Sequence, residues 1–399
     1  MKQYEINPDL AAMMAAGKEA RTEVAPGYVA EEILPVYFDA SALREPPYRI
    51  FRLDSDGYRY YYRFNVEGEP EFYPSVTTML GAVMPTSPFL IKWIADNGQE
   101  VANMKRDLAA AYGTFMHSQF ERLVVGRRYD FDDTPAALLQ YMDENNIPEG
   151  YFNEWLVKAR KDVLAFAQFI KDYNVRPLAI EIGLVHPDYH YAGCLDLPCI
   201  MTDPKTKKDV RAIVDFKSGR KGFWEEHELQ LGLYREMWNV NFPDAPVERI
   251  YNFSPKDWRT SPTYNLKDQT KSPNLCKLPH LLALAAIEDD KRDNTLTIVR
   301  GVLDLDNGKP EDNVLTLSLA ELIKTKAEKQ ETPEGPAAAP VAEKPVRAEK
   351  SPVKTSKDAD PVNTPAEPLK PAVEQKAEKL PWETEAAPAP DLFNDEMEF

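Results

Sequence analysis

The chain has 399 residues, with 48 basic against 65 acidic side chains and a formal net charge of −17. That length supports one large or two ordinary domains with a core that needs no staple, which excludes a peptide toxin or a disulfide scaffold. Cys194, Cys199 and Cys276 make neither an even disulfide framework nor a C-x-x-C spacing, and no apolar run approaches the roughly 20 residues of a bilayer span.

The first residues also lack the basic and apolar regions of a leader. The expectation is a soluble, cytoplasmic protein with no membrane partner. Taken alone, the acidic balance argues against nucleic acid, because phosphate backbones are held by basic surfaces.

Residues 1–69 read as an N-terminal extension, in which RIFRLDSDGYRYYYRF (49–64) predicts a β-hairpin about a Ser-Asp-Gly turn. A main domain follows over 70–305. Helices are expected over 103–124, where Leu108, Tyr112, Phe115 and Leu123 lie near one stripe, and over 152–172 through Trp155, Ala159, Val163, Phe166 and Ile170. Three strand-like runs come next, 178–186, 191–201 and 210–216, then a helix near 223–239 and a strand at 249–253. Residues 280–305 add a helix and a strand. The order helix, three strands, helix, strand predicts an α/β (α+β) architecture, a mixed sheet flanked by helices.

Residues 306–330 form the edge of this body. From 331 to 390 the chain is a linker of Pro, Ala, Glu and Lys, with too few large apolar side chains to offset the entropy of ordering, so a disordered tail is expected. Residues 331–399 hold 15 acids and 8 bases, a net of −7, which leaves −10 of the total −17 on the rest. The last nine residues, 391–399, carry four acids, no base and a terminal Phe399. Such an end is a solubilising tail, a short recognition peptide, or a DNA mimic that folds back into a basic cleft. It resembles the acidic tip of bacterial single-stranded-DNA-binding proteins, without the usual proline before the final Phe.

The chemistry-bearing residues sit on the strands. Alternation puts Asp215 and Lys217 on one side of a strand end, with Phe216 pointing to the core. If the turn at 203–208 closes a hairpin, Asp196 stands beside Asp215. Two close carboxylates repel unless a cation lies between them, and oxygen ligands suit Mg²⁺ or Mn²⁺. Lys217 can then donate to a phosphate or to an attacking water. Each residue also has an ordinary reading: Asp-x-Lys recurs by chance, and an aspartate that ends a strand is usually a turn residue. Further features join them. His117 lies one helical turn after Gly113, Glu181 precedes Asp196 and could bind a second ion or a metal water, and Gln230 and Tyr234 share a helix face.

In this order the residues resemble the PD-(D/E)XK nuclease superfamily, in its RecB-like and lambda-exonuclease-like branch. Gly113 to His117 matches the G-x-x-x-H helix and Glu181 the acidic strand. Gly193 to Asp196 matches G-x-x-D, Asp215 to Lys217 matches D/E-x-K, and Gln230 to Tyr234 matches the Q-x-x-x-Y helix. Tyr73 to Leu80 is similar to a phrase upstream of these motifs in phage-type relatives. The resemblance implies a restriction-endonuclease-like fold, with 70–305 as the nuclease domain. It also implies a metal held by Asp196, Asp215, the Phe216 carbonyl and His117, with Lys217 orienting and helping to deprotonate the hydrolytic water. Gln230 and Tyr234 would position the substrate strand or brace the site. Some relatives hold an iron-sulfur cluster on four cysteines, and with three cysteines none is expected here. Cys194 and Cys199 read as small buried residues.

Ser218, Arg220 and Lys221 extend the lysine strand into a basic loop, and Lys205, Lys207, Lys208 and Arg211 border the neighbouring turn. These are the expected phosphate contacts. Tyr58, Tyr60, Tyr62 and Trp224 could stack on bases, although alternating tyrosines more often cover a sheet. The function implied is a metal-dependent deoxyribonuclease, an exonuclease more than an endonuclease, in recombination, repair or phage DNA processing within a bacterial or phage-infected cell. The alternative is a non-cleaving DNA-binding adaptor that recruits a replication or single-stranded-DNA-processing protein through 391–399.

Overall fold

In the computed structural model the described residues are 21–25, 28–34, 36–38, 48–55, 58–220, 222–289, 295–299, 309–321 and 323. The expectations for the 331–390 linker, the 391–399 peptide and Lys221 lie outside them. Strands β1 (Arg21–Ala25), β2 (Tyr28–Ile33), β4 (Ile50–Ser55), β5 (Tyr58–Phe64) and β6 (Pro70–Pro74) form one antiparallel sheet in the order β1-β2-β4-β5-β6, while β3 (Val36–Tyr37) leaves it. The predicted hairpin is β4 and β5. Period-two alternation divides its aromatics between two faces. Tyr60 and Tyr62 pack with Leu53, Leu319 and Ile323, and Tyr61 packs with Ile50, Tyr73, Val185 and Ala192. Tyr60 and Tyr62 therefore cover the sheet and are not base-stacking residues.

Ser75 caps α1 (Val76–Val83) by accepting from the Thr78 N–H at 3.0 Å. Helices α2 (Pro88–Asn97), α3 (Gln99–Gly126), α4 (Thr134–Glu144) and α5 (Phe152–Asp172) follow. Helix α3 buries Tyr112, Phe115, Met116, Phe120 and Val124, and α5 buries Trp155, Ala159, Val163, Phe166 and Phe169, so both show the expected helical stripe.

The strands β7 (Arg176–Pro177), β8 (Ala179–Ile180), β9 (Ile182–His186), β10 (Tyr191–Leu195), β11 (Leu197–Thr202) and β12 (Asp209–Phe216) come next. After α6 (Glu225–Asn241) the chain adds β13 (Arg249–Pro255) and β14 (Tyr264–Asp268). The central sheet runs β14-β13-β12-β11-β7, β9 and β10 pair as a separate hairpin, and β3 pairs with β8. Strand β12 continues through α6 into β13, its parallel neighbour, the connection that parallel strands require. Helix α7 (Leu278–Asp289), β15 (Thr295–Val299) and β16 (Val314–Ser318) complete the elements.

Two of the predicted strands are broken in the structure. The run 178–186 parts at Glu181, which adopts a left-handed φ of 50°, and the run 191–201 parts at Asp196. In each case the break falls on the acid expected to carry chemistry.

A separate core lies on each side of the central sheet. One joins α3, α4 and α5 to Phe216, Tyr251 and Phe253; the other joins α1, α6 and α7 to Leu184, Tyr191, Ile213 and Ile250. Phe120 stacks on Phe166 at 4.2 Å, and Phe216 meets both edge-on. Burying a side chain of this size stabilises the fold by about 2–3 kcal/mol, so the aromatic block fixes the end of β12 firmly. The result is a mixed α/β, restriction-endonuclease-like fold. Among the described residues no helix is long and apolar enough to cross a membrane.

Candidate active site

The β11–β12 hairpin sets the two aspartates side by side. Its antiparallel register pairs Leu197 with Val214, so the next step places Asp196 opposite Asp215. The Phe216 N–H donates to Asp196 Oδ2 at 2.6 Å. This bond fixes one carboxylate oxygen to the backbone of the neighbouring strand.

His117 reaches the same place from α3. Its Nε2 lies 3.2 Å from the Phe216 carbonyl oxygen, and its Nδ1 lies 3.5 Å from both Glu181 Oε1 and Asp196 Oδ1. One donor atom from each of His117, Glu181 and Asp196 falls within 4.8 Å of the others. The turn of the backbone at Glu181, tied by its N–H to the Asp196 carbonyl oxygen at 3.0 Å, is what aims that side chain inward.

On the other side of Asp196 stands a chain of polar contacts. Lys217 Nζ donates to Asp215 Oδ2 at 2.9 Å and to Gln230 Oε1 at 2.9 Å, while Gln230 Nε2 donates to the Tyr234 hydroxyl at 2.9 Å. Helix α6 presents Gln230 and Tyr234 one turn apart, as their spacing predicts. Gly193 makes room for the ring, since a Cβ there would come within 2.6 Å of Tyr234 Cε1. Gly113 is less demanding: a Cβ would meet Ser218 Oγ at 3.5 Å, an ordinary contact.

The electrostatics follow from burial. Burial raises the Asp196 carboxyl, with Asp215 and Glu181 adding to the rise and His117 opposing it. Burial alone would lower His117, yet the Asp196 and Glu181 carboxylates overcome that and raise it. Burial and the same two carboxylates push the Cys194 thiol well up, so it keeps its proton and donates to Glu181 Oε2 at 3.3 Å. Cys194 is thus a hydrogen-bonding neighbour of the site, while Cys199 is buried as expected.

An imidazole, three acids and a main-chain carbonyl share this space with a single lysine. Such a donor set fits a hard divalent cation. Asp215 stands apart from the three clustered donors, its Oδ2 already held by Lys217.

The basic loop is divided. Ser218 lies against Gly113 of α3. Arg220 turns inward, where its Nη2 pairs with the buried Asp162 at 2.8 Å, and Asp162 also accepts from the Tyr112 hydroxyl at 2.6 Å. The structure therefore brings Arg220 to an internal partner and not to the cluster. Trp224 remains 46% exposed at the start of α6.

The expectation for Lys205, Lys207, Lys208 and Arg211 is corrected. They flank the start of β12, and a strand of this length puts about 20 Å between its ends. Lys205 pairs with Asp268 at 2.9 Å, and Arg211 donates to the Pro246 carbonyl oxygen at 3.0 Å. They do not border the site.

Two site residues escaped the sequence reading. Glu121, one turn beyond His117 on α3, has its carboxyl pushed up to about 7 by burial and by the charge of Glu181. The i, i+4 spacing from His117 is the signal that would have found it. Asn252 of β13 donates from Nδ2 to Asp215 Oδ2 at 2.9 Å. No local pattern marks it.

Residues 91–339, more than half of the chain, match the family described as the PD-(D/E)XK nuclease superfamily. No curated protein matches the chain. Among solved structures it is similar to a protein from Eubacterium rectale provisionally named an exonuclease, at 11% identity and a TM-score of 0.30, over 59% of this chain and 77% of that one.

Proposed function

The chain belongs to the PD-(D/E)XK nuclease superfamily and is a hydrolytic nuclease, and from that premise we propose that it is a Mg²⁺- or Mn²⁺-dependent deoxyribonuclease that degrades DNA from an end. Recombination, repair or phage DNA processing in the cytoplasm is the setting such an activity serves. The observation that carries this reading is the Lys217 ammonium held between Asp215 Oδ2 and Gln230 Oε1, beside the cluster of His117, Glu181 and Asp196.

In this reading His117, Glu181, Asp196, Asp215 and the Phe216 carbonyl would hold the cation, which when bound supplies positive charge to the phosphodiester and makes a water more acidic. Lys217 would donate to a non-bridging phosphate oxygen or orient the attacking water and help to remove its proton. Gln230 and Tyr234 would brace the lysine from behind, both being buried. Ser218 would meet the phosphate backbone, and exposed Trp224 would offer a stacking face to a splayed base.

The acidic body predicts modest, salt-sensitive DNA affinity. Recruitment through 391–399 to a replication or single-stranded-DNA-processing protein would offset this. Unchanged binding to such a protein after deletion of Phe399 would return that peptide to a solubilising role.

The test is end-labelled linear duplex, covalently closed circle and single strand, each incubated with Mg²⁺, Mn²⁺ or EDTA. Linear DNA should be degraded from its ends with metal only, and Lys217→Ala should abolish this without loss of the fold. Equal cleavage by wild type and Lys217→Ala would sink the mechanism. Circles cut as fast as linear DNA would remove the exonuclease part alone.

A further inference from the structure

Asp215 is the one acid of the site whose orientation is set from a strand that carries none of the motif residues. Parallel pairing in register puts Asn252 of β13 beside it. Asn252 is fully buried, and so is Asp215 but for 2%. Asn252 Nδ2 donates to Asp215 Oδ2 at 2.9 Å, the same oxygen that accepts from Lys217. A side-chain amide can present either its NH₂ or its oxygen, and only the first is attractive to a carboxylate. Gln269, 1% exposed, decides the matter by donating from Nε2 to Asn252 Oδ1 at 3.0 Å. Its own main chain is anchored through a bond from its N–H to the Ile250 carbonyl oxygen at 2.9 Å.

We propose that Asn252 and Gln269 are positioning residues for the cation site: Gln269 fixes the amide of Asn252, and Asn252 with Lys217 holds Asp215 Oδ2, leaving Oδ1 to face the cation. The inference rests on the nuclease reading for the role of Asp215, but its test does not need cleavage. Buried as they are, neither residue would touch substrate or ion. Both act through Asp215, in the way that outer partners of metal ligands orient them.

The experiment measures Mn²⁺ binding to the DNA-free full chain by electron paramagnetic resonance, together with thermal unfolding and the kcat and KM of DNA degradation. Asn252→Leu removes the donor; Gln269→Met keeps the shape and leaves the amide free to turn. Loss of such an outer partner weakens metal affinity by roughly 10–100-fold, so Asn252→Leu should fall in that range and Gln269→Met near its lower end. The loss in activity should fall on kcat, with KM for DNA held within about twofold, because the substrate contacts are elsewhere.

Should Asn252→Leu fail to fold, Gln269→Met decides. A folded Gln269→Met chain with wild-type Mn²⁺ affinity and kcat would overturn the proposal, as would a wild-type chain that binds no Mn²⁺. A wild-type chain that binds Mn²⁺ in a Gln269-dependent manner yet degrades no DNA would support this inference while removing the nuclease reading.

Discussion

The two ends of the β11–β12 hairpin each bury an aspartate, and the surroundings treat them in opposite ways. At the turn end Asp203, 1% exposed, accepts from the N–H groups of Lys205 and Thr206, from Arg249 Nε and from the Tyr251 hydroxyl. Burial would raise its carboxyl, but these donors hold it far below the usual carboxylate range. At the other end Asp196 has one backbone donor, the His117 imidazole and two acidic neighbours, and burial with those acids leaves it raised. A fold that can satisfy a buried carboxylate with its own donors does so where the task is structural. Where several acids crowd around one lysine and one imidazole, the site is suited to take positive charge from outside.

This contrast can be broken most sharply at its functional end. Lys217→Ala should cost at least about 10²–10³-fold in kcat, the scale on which removal of a charge-stabilising donor acts, with an unchanged thermal midpoint; DNA degradation and calorimetry check both halves. At the structural end the effect should fall on stability alone. Asp203→Ala leaves Arg249 and the turn amides without their acceptor and should destabilise the fold by about 2–4 kcal/mol in urea unfolding, while Mn²⁺ affinity stays as in wild type.

A smaller effect is expected between the two ends. Gly193→Ala forces Tyr234 aside and should destabilise by about 1–3 kcal/mol through overpacking, with a concurrent fall in kcat as Gln230 loses its brace. An unaltered kcat would show that Tyr234 only fills space.

The smallest effect belongs to pH, and its sign differs at the two ends. Asp203, depressed, contributes stability that is present above the ordinary aspartate pKa of about 4 and is lost as pH falls through the lower folded value. Glu121, raised to about 7, binds more protons folded than unfolded between about pH 4 and 7, so its contribution declines as pH rises through that window. Glu121→Gln should flatten this decline by about 1 kcal/mol or less, allowing for the solvent that reaches a half-buried carboxyl. Stability measured from pH 4 to 8 without metal tests the sign; a steeper decline in the variant would refute it.

What could be read from the residues followed the range of the interactions involved. The helices expected over 152–172 and 103–124 carry 3.6-residue stripes, stronger in the first, and the Asp196–Asp215 pairing is arithmetic once a short turn joins two strands. The remoteness of Lys205, Lys207 and Lys208 is legible too, because strand length alone separates them from Asp215, and nearness to a turn is not nearness to the site. Arg220 and Asn252 were beyond reach. The partner of Arg220, a loop residue, is Asp162, 58 residues away on α5, and the Asn252 contact depends on a parallel register that no hairpin fixes. The short breaks at Glu181 and Asp196 were missed for a related reason: alternation reports a strand's faces and is silent on where one residue leaves the ladder.

The left-handed backbone at Glu181 has a bearing on how this chain can vary. A non-glycine residue in that conformation costs on the order of 1–3 kcal/mol, which glycine would not. Replacement by glycine would then be favoured on stability and penalised on the site, since the carboxylate would go with the strain. Stability and activity pull in opposite directions at this residue: Glu181→Gly should raise the one and lower the other.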